Sequence, residues 1–295
     1  MIFQSLAGVG QPFVYTSISK MVVQWFNLKE RGLATGLAIM AQFIGFISAL
    51  IITPTLVPET NYNYFRNMLI IYSLVSLAGL IIFVLTAKER SSIDEGKASI
   101  SFAVIKGVIK SKDFIILNAL FFIGVGFFTG ILTWLESILS SRGISVSSSD
   151  VIAAIMIVGG IIGSIIVPSI SDKLSKRKPF FIINFGISAV MLYIISTSFN
   201  FTLLSISSFL LGFFLVSSLP IALDYSSRLV GADITGTVQS VLWLVAQAGS
   251  VILIPTIGYL ADYTGFPNNP FLPSMILIIT LDILCFILCF FIKES

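Results

Sequence analysis

The feature that most constrains this chain is a series of long apolar blocks. Each block runs for about 20 residues or more, the length that an α-helix needs to cross ~30 Å of hydrocarbon. Because lipid offers no hydrogen-bond partners to the backbone, such blocks must be helical. Hydrophobic residues make up 56% of the chain and charged residues only 11%, too little charge for the surface of a soluble globule. We therefore predict an all-α integral membrane protein.

The blocks predict nine transmembrane helices. Their approximate bounds are 2–25, 31–57, 65–87, 114–139, 149–171, 179–199, 202–223, 234–261 and 270–292. A long polar connection, 88–113, separates three helices over 1–87 from a six-helix bundle over 114–295. Within this linker, apolar residues recur at helical spacing between lysines, which is typical of an amphipathic helix on the membrane surface.

Lysine and arginine predict the orientation of the helices. If the connections after the first, third, fifth and seventh helices are cytoplasmic together with the C-terminus, that side holds fourteen Lys and Arg residues. The opposite side holds only Arg66 and Arg142. Because cytoplasmic loops are enriched in basic residues, we expect a multi-pass protein of the cell membrane with its N-terminus outside and its C-terminus in the cytoplasm.

The second and eighth predicted helices resemble copies of each other. The second carries a series of small and polar residues that the eighth repeats in the same order: Thr35, Gly36, Gln42, Gly45 and Pro54 against Thr235, Gly236, Gln247, Gly249 and Pro255. Many transporters are built from such repeats, which surround a binding site near the bilayer midplane.

Three local motifs extend this comparison. They are the run from Trp25 to Gly32, the acidic-basic loop from Ser171 to Lys178, and the segment from Gly258 to Gly265. In order and spacing they resemble the cytoplasmic turn after helix four, the loop between helices eight and nine, and the end of helix eleven of the major facilitator superfamily. Pro168 stands where the superfamily pattern often has glycine. The resemblance implies a secondary transporter that works by alternating access.

The resemblance also implies that the nine helices match superfamily helices four to twelve, so that 1–87 is a remnant of the N-terminal bundle. Three explanations for the first three helices stay open. The sequence is truncated, or a separately encoded three-helix piece completes a split transporter, or the chain is a degenerate remnant that acts as a non-transporting membrane partner.

A finer resemblance lies in the run from Gly8 to Phe13, in Lys20, and in the segment from Leu56 to Pro58. These are similar to the feline leukaemia virus subgroup C receptor-related branch, whose members are associated with choline or haem-linked transport. The resemblance implies a small solute, with an organic cation as a candidate. Around Phe128, however, the chain lacks the tyrosine that this branch has in its binding site.

The superfamily arrangement suggests which side chains contact the solute. The candidates are polar or aromatic residues on cavity-lining and flanking helices: Gln247, Gln42, Gln11, Tyr15, Asn118, Phe128 and Trp134, with Ser217 and Ser218 beside them. Amides offer adaptable hydrogen bonds, and aromatic faces attract organic cations. Hydrogen bonding and packing between helices is the alternative role for the same residues.

Charged residues suggest two further roles. Asp172, Lys173, Arg177 and Asp262 fall in the loop motifs and are candidates for gating, the alternative being a solvated charge cluster. Asp282 stands near the centre of the last helix, where burying a carboxylate costs roughly 2.5–3.5 kcal/mol on insertion scales. It is a candidate for proton coupling, or a protonated structural side chain.

Other classes of chemistry leave no signature in the sequence. Histidine is absent, and the two cysteines, Cys285 and Cys289, lie one turn apart in the last apolar block, where packing explains them. The metalloprotease, nucleophile-elbow and phosphate-loop motifs are also absent. We expect no enzyme activity, no metal, no cofactor and no nucleic-acid partner; the expected partners are the lipid bilayer and a small solute.

Overall fold

A computed structural model of the chain describes residues 31–57, 61–88, 111–229, 235–263 and 269–293, with Val14, Met21 and Trp25 as single positions. The regular elements in these ranges are eight α-helices. They are α1 (Arg31–Leu56), α2 (Tyr62–Thr86), α3 (Lys112–Ser140), α4 (Val146–Leu174), α5 (Lys178–Thr197), α6 (Phe201–Leu229), α7 (Thr235–Tyr263) and α8 (Leu272–Cys289). The predicted all-α class is confirmed.

Seven of these described helices, α2 to α8, are long and apolar enough to cross a membrane. In α1 an apolar stretch over Met40–Thr53 lies within the described residues. Apart from the three single positions, the helix predicted over 2–25 lies outside the described residues, as does the amphipathic helix predicted within the linker. The number nine therefore stays a prediction.

The six helices α3 to α8 run alternately up and down in one bundle. At one end, which we call the basic end, Arg177 before α5 binds Asp224 near the end of α6, and the Lys293 backbone N–H after α8 donates to Asp113 at the start of α3. At the other, distal end, Arg142 after α3 binds the Ile195 carbonyl in the last turn of α5. This alternation determines at which end of the bundle each charged cluster described below lies.

Glycines bring the helices of the bundle into close contact. A Cβ at Gly249 of α7 would collide with the Phe122 carbonyl oxygen of α3. In the same way Gly163 of α4 lies directly against the Phe213 carbonyl oxygen of α6. Without a hydrophobic effect between helices in lipid, such close backbone approach is a main source of association, and the pairs α3–α7 and α4–α6 pack most extensively.

The remaining two helices of the bundle complete its packing. α5 lies against α6 and α8, and α8 also contacts α3 and α7. Exposed side chains on these helices are mainly apolar, including Ile183, Val190, Ile276 and Ile287. Such an outer surface suits lipid rather than water.

Residues Ile18–Lys97 form a separate compact unit that contains α1 and α2. Within it, the hydroxyl groups of Thr53 and Tyr72 lie 2.7 Å apart and link the two helices. Asn61 caps α2 by accepting a hydrogen bond from the Asn63 backbone N–H. Most side chains of α2 are exposed and apolar. Among the described residues of this helix, Met68 is the one that is buried.

Candidate functional site

An apolar pocket lies within the six-helix bundle, between α3, α5 and α6. Four phenylalanines line it: Phe121 and Phe128 from α3, and Phe181 and Phe185 from α5. Ser218 of α6 supplies a hydroxyl group, and the described residues of the lining include no charged side chain. Phe128 and Ser218 were predicted from the sequence as solute contacts, and the pocket brings these two together.

Asn184 of α5 organises the polar edge of this pocket. Its amide nitrogen donates to the hydroxyl groups of Ser217, at 3.0 Å, and Ser218, at 2.9 Å, and both serines are buried. The Asn184 Oδ1 atom is buried and has no hydrogen-bond partner among the described residues. Sequence reasoning missed Asn184, although an amide in the middle of an apolar helix is a signal that could have identified it.

Trp134 and Asn118 make contacts between or within helices. The Trp134 indole N–H donates to the Ile254 carbonyl of α7 at 2.9 Å, and its ring packs against Phe271 with centroids 5.9 Å apart. The Asn118 amide donates to the Phe114 carbonyl in its own helix, while Asn118 Oδ1 is buried without a described partner. Neither residue lines the apolar pocket.

The glutamine candidates are distributed over the chain. Gln247 is half-buried on α7, and Gln42 is half-buried on α1 in the separate unit. Gln11 and Tyr15 lie outside the described residues. Their contact with a solute stays a prediction.

At the basic end, one buried arginine joins three helices. Arg177, immediately before α5, is 2% exposed, and its Nη2 atom lies 2.6 Å from Asp172 Oδ1 of α4 and 2.7 Å from Asp224 Oδ2 of α6. Its Nη1 atom donates to the Ser171 carbonyl at 2.9 Å. Arg228 also binds Asp224, at 2.9 Å. The guanidinium therefore ties the C-terminal ends of α4 and α6 to the start of α5.

The predicted gating residues divide between the two ends of the bundle. Asp172 and Arg177 meet in this cluster, Lys173 is exposed beside them, and Asp262 is exposed near the end of α7, at the distal end. Asp224 and Arg228 were missed, although their i, i+4 spacing on a helix is a recognisable ion-pair signal.

Asp282 is fully buried in α8 and receives a hydrogen bond from Ser188 of α5 at 2.7 Å. Its position in the middle of an apolar helix agrees with the bounds of α8. In the part of the chain that the structure describes, no three His, Cys, Asp or Glu side chains are grouped closely enough to hold a metal ion.

Comparison with known proteins identifies the fold that this bundle belongs to. The family model for the Major Facilitator Superfamily matches residues 1–254. The chain belongs to this superfamily. As a superfamily member with seven described helices able to span a bilayer, it is a multi-pass protein of a transmembrane transport family.

The relatives of this chain differ in the share of their own length that the chain covers. An uncharacterised protein of Archaeoglobus fulgidus is 40% identical over 198 residues, 67% of this chain and 90% of that protein. Solute carrier family 49 member A3 of Xenopus tropicalis is 28% identical over 263 residues, 82% of this chain and 54% of that protein. The choline/ethanolamine transporter FLVCR2 of Rattus norvegicus is 23% identical over 294 residues, 92% and 54% respectively. The chain thus spans about half the length of the latter two.

Proposed function

We propose that this chain is part of a secondary transporter that moves a small organic cation across the cell membrane by alternating access. The match of the superfamily model to residues 1–254 carries the proposal. It is supported by the alternating six-helix bundle, which offers a rigid half against which the rest of a transporter can rock. The proposed orientation keeps the N-terminus outside and the C-terminus in the cytoplasm, as the Lys and Arg distribution predicts.

The proposed solute class rests on relatives and on aromatic groups. Two similar proteins bear the name choline/ethanolamine transporter, from Rattus norvegicus and Felis catus. The pocket with four phenylalanines and no lining charge would suit an ammonium group, because ring faces attract cations. Gln247 and Gln42 are the proposed hydrogen-bonding contacts, together with Gln11, Tyr15 and Asn118.

We further propose that three additional helices complete the transporter. The resemblance of the nine predicted helices to superfamily helices four to twelve supports this division into a partial N-terminal bundle over 1–87, a linker over 88–113 and a complete C-terminal bundle over 114–295. The three helices would belong to the same polypeptide or to a separately encoded one. Transport is expected from the twelve-helix assembly.

The Arg177 cluster is proposed as part of the cytoplasmic gate. Asp172 is 65% exposed and Asp224 41%. Water can therefore hydrate both acids when they leave Arg177 for another basic partner. A gate needs contacts that are strong in one state and replaceable in the other. The exposed Lys173 and the distal Asp262 would act at opposite ends of the transport path.

Uptake of labelled choline by vesicles containing the twelve-helix protein tests the proposal. Gln247→Ala and Phe128→Ala are expected to raise the half-saturating choline concentration about tenfold, since one lost contact of about 1.4 kcal/mol corresponds to that factor. Gln239→Ala is the matched control, because Gln239 lies on the same helix and its amide binds Leu223 and Ser227 of α6. Absence of choline and ethanolamine uptake by the complete assembly would contradict the proposed solute.

A further inference from the structure

A row of buried polar side chains crosses the six-helix bundle from the apolar pocket to α8. It begins at Ser218, which lines the pocket, and continues to Asn184 on α5. Ser188 follows one helical turn after Asn184 and therefore lies on the same face of α5. It binds Asp282 on α8. Such a row through an apolar bundle is costly to bury and calls for a role in binding or transfer.

The Ser188 hydroxyl group lies between two acceptors. Its oxygen is 2.7 Å from Asp282 Oδ1 and 2.9 Å from the carbonyl oxygen of Phe185 in the preceding turn. A serine hydroxyl has one proton to donate and two lone pairs that accept. Ser188 can therefore donate to only one of these oxygens at a time, and its own oxygen stays free to accept from the other side.

The surroundings of the second carboxyl oxygen of Asp282 indicate which protonation state is favoured. Asp282 Oδ2 is buried and has no hydrogen-bond partner among the described residues. A buried carboxylate needs donors or a basic partner on both oxygens, because an unpaired buried charge is strongly destabilising. The described ion pairs leave Asp282 without a basic partner. A neutral carboxylic acid fits this environment better than a carboxylate does.

We propose that Asp282 and Ser188 form a buried proton-binding site. In the loaded state the proton resides on Asp282 Oδ1 and is donated to Ser188 Oγ, whose own proton points to the Phe185 carbonyl. When water or hydroxide takes the proton, the Ser188 hydroxyl group turns and donates to the Asp282 carboxylate. One proton is gained or lost, the heavy atoms keep their positions, and no other bond changes.

Among the described titratable groups around Asp282, the nearest are two thiols, which keep their own proton near neutral pH, and the others lie far along their helices or on exposed faces. On α8 itself Cys285 and Cys289 are buried thiols one and two turns further on. The described ionisable groups of α3, α5 and α7, the helices packed against α8, lie at helix ends or on exposed faces: Lys112, Asp113, Glu136, Lys178, Tyr193, Tyr259 and Asp262.

A proton also fits the oxygen count better than a metal cation does. Sodium, magnesium or calcium would need several oxygen ligands around one point. Here the described side-chain oxygens that meet are those of Asp282 and Ser188. Asn184 Oδ1, an unpartnered buried acceptor one turn away, gives the site a polar neighbour on the side of the pocket.

Infrared difference spectroscopy of the full chain in lipid nanodiscs tests the site without reference to transport. The spectrum of the wild type minus that of Asp282→Asn is expected to show the C=O stretch of one hydrogen-bonded carboxylic acid at neutral pH. Raising the pH is expected to replace it by carboxylate bands. Asn keeps the size and neutrality of the protonated side chain, so that this variant is expected to fold.

Ser188→Ala supplies the second arm of the experiment. Loss of the hydroxyl acceptor is expected to shift the Asp282 C=O band to higher frequency, as happens when a carboxyl group loses a hydrogen bond. Ser196→Ala is the matched control, because Ser196 lies on the same helix and its hydrogen bond among the described residues is to a local carbonyl, that of Tyr193, at 2.7 Å. The control is expected to leave the band in place.

Three outcomes would overturn the proposal. The first is a carboxylate at Asp282 from neutral pH downwards. The second is a carboxylic-acid band that Ser188→Ala does not move. The third is a signal that responds to sodium and not to pH, which would indicate a metal cation. All three are independent of choline uptake, so a failure of the proposed solute would leave this inference standing.

Discussion

Arg177, immediately before α5, and Asp224, near the end of α6, are 47 residues apart in sequence, but Arg177 Nη2 and Asp224 Oδ2 lie 2.7 Å apart. The arginine is buried, whereas the carboxylate is 41% exposed. The pair thus combines a charge that has lost its water with one that stays partly hydrated. Because Asp172 binds the same guanidinium, the two acids share the task of neutralising a buried cation.

Replacing Arg177 is expected to loosen the basic end of the bundle. Arg177→Gln would remove both ion pairs and the bond to the Ser171 carbonyl, leaving two acids that can turn to water. We expect a loss of about 2–3 kcal/mol in the free energy of unfolding, below the 3–5 kcal/mol typical of breaking a fully buried pair. Denaturant unfolding of the detergent-solubilised chain, followed by tryptophan fluorescence, measures this loss.

Arg228→Gln is the control for this measurement. Arg228 binds the same Asp224 oxygen but is 47% exposed, and exposed pairs contribute about 0–1 kcal/mol. A loss at Arg228 equal to that at Arg177 would contradict the argument from burial.

The class of fold follows from properties that each segment carries by itself. Apolar length predicts the spans because lipid leaves the backbone no other structure, and α3 to α8 begin and end within a few residues of the predicted bounds, except where α6 continues to Leu229. Apolar length misses this continuation, which the i, i+4 spacing of Asp224 and Arg228 indicates, but the sequence does not predict that Arg177 lies beside Asp224. That proximity depends on how α5 packs against α6.

The equivalent glycines of the repeat show the same limit. Gly45 and Gly249 occupy matching places in the sequence, and a sequence comparison assigns them the same role. In the structure a Cβ at Gly249 meets the Phe122 carbonyl, whereas at Gly45 no described atom lies within 4 Å. Nor could the sequence relate Asn184 to Ser218, since pairing across helices depends on their rotation.

Gly249→Ala is expected to separate α3 from α7. The added methyl group would overlap the Phe122 carbonyl oxygen, which belongs to the backbone and cannot turn away. Overpacking of this kind costs typically about 1–3 kcal/mol. We expect Gly249→Ala to lower the free energy of unfolding by this amount, measured as a lower denaturant concentration at the midpoint of unfolding.

Gly236→Ala provides the matched control on the same helix. Nothing described lies within 4 Å of its Cβ position, and alanine favours a helix over glycine by about 1 kcal/mol. This variant is expected to be as stable as the wild type or more so. Equal losses at Gly236 and Gly249 would show that close helix contact is not the cause.

Ser175→Gly is expected to stabilise the loop at the basic end. Ser175 is the C-cap of α4 and has φ of 51°, in the left-handed region that costs a residue with a side chain about 1–2 kcal/mol. Glycine removes this cost, partly offset by its greater freedom when unfolded. We expect a gain of about 0.5–1 kcal/mol in the free energy of unfolding. Ser175→Val, a β-branched change at the same φ, is expected to lower it.

At the distal end, Arg142 holds the last turn of α5. Its Nη1 atom donates to the carbonyl oxygens of Ile195, at 2.7 Å, and Ser198, at 3.2 Å. Carbonyls at a helix C-terminus lack partners in their own helix, so an external cation stabilises them. Burial lowers the pKa of Arg142 below its usual value, because desolvation disfavours the charged form.

The loss of stability in Arg142→Met is expected to be independent of pH near neutrality, because even the lowered pKa of Arg142 leaves its titration at alkaline pH. Because the folded chain holds the Arg142 proton less tightly than the unfolded chain does, desolvation of the charged form lowers the free energy of unfolding at every pH below the folded pKa. This cost disappears only at strongly alkaline pH. Arginine stays charged near neutrality, so the variant's loss of about 1–2 kcal/mol is expected to be the same at about pH 6 and about pH 8. Arg66→Met, at an exposed site on α2, is the control and is expected to change stability by less than about 0.5 kcal/mol. A loss at Arg142 that varies between these pH values would show that another group titrates with it.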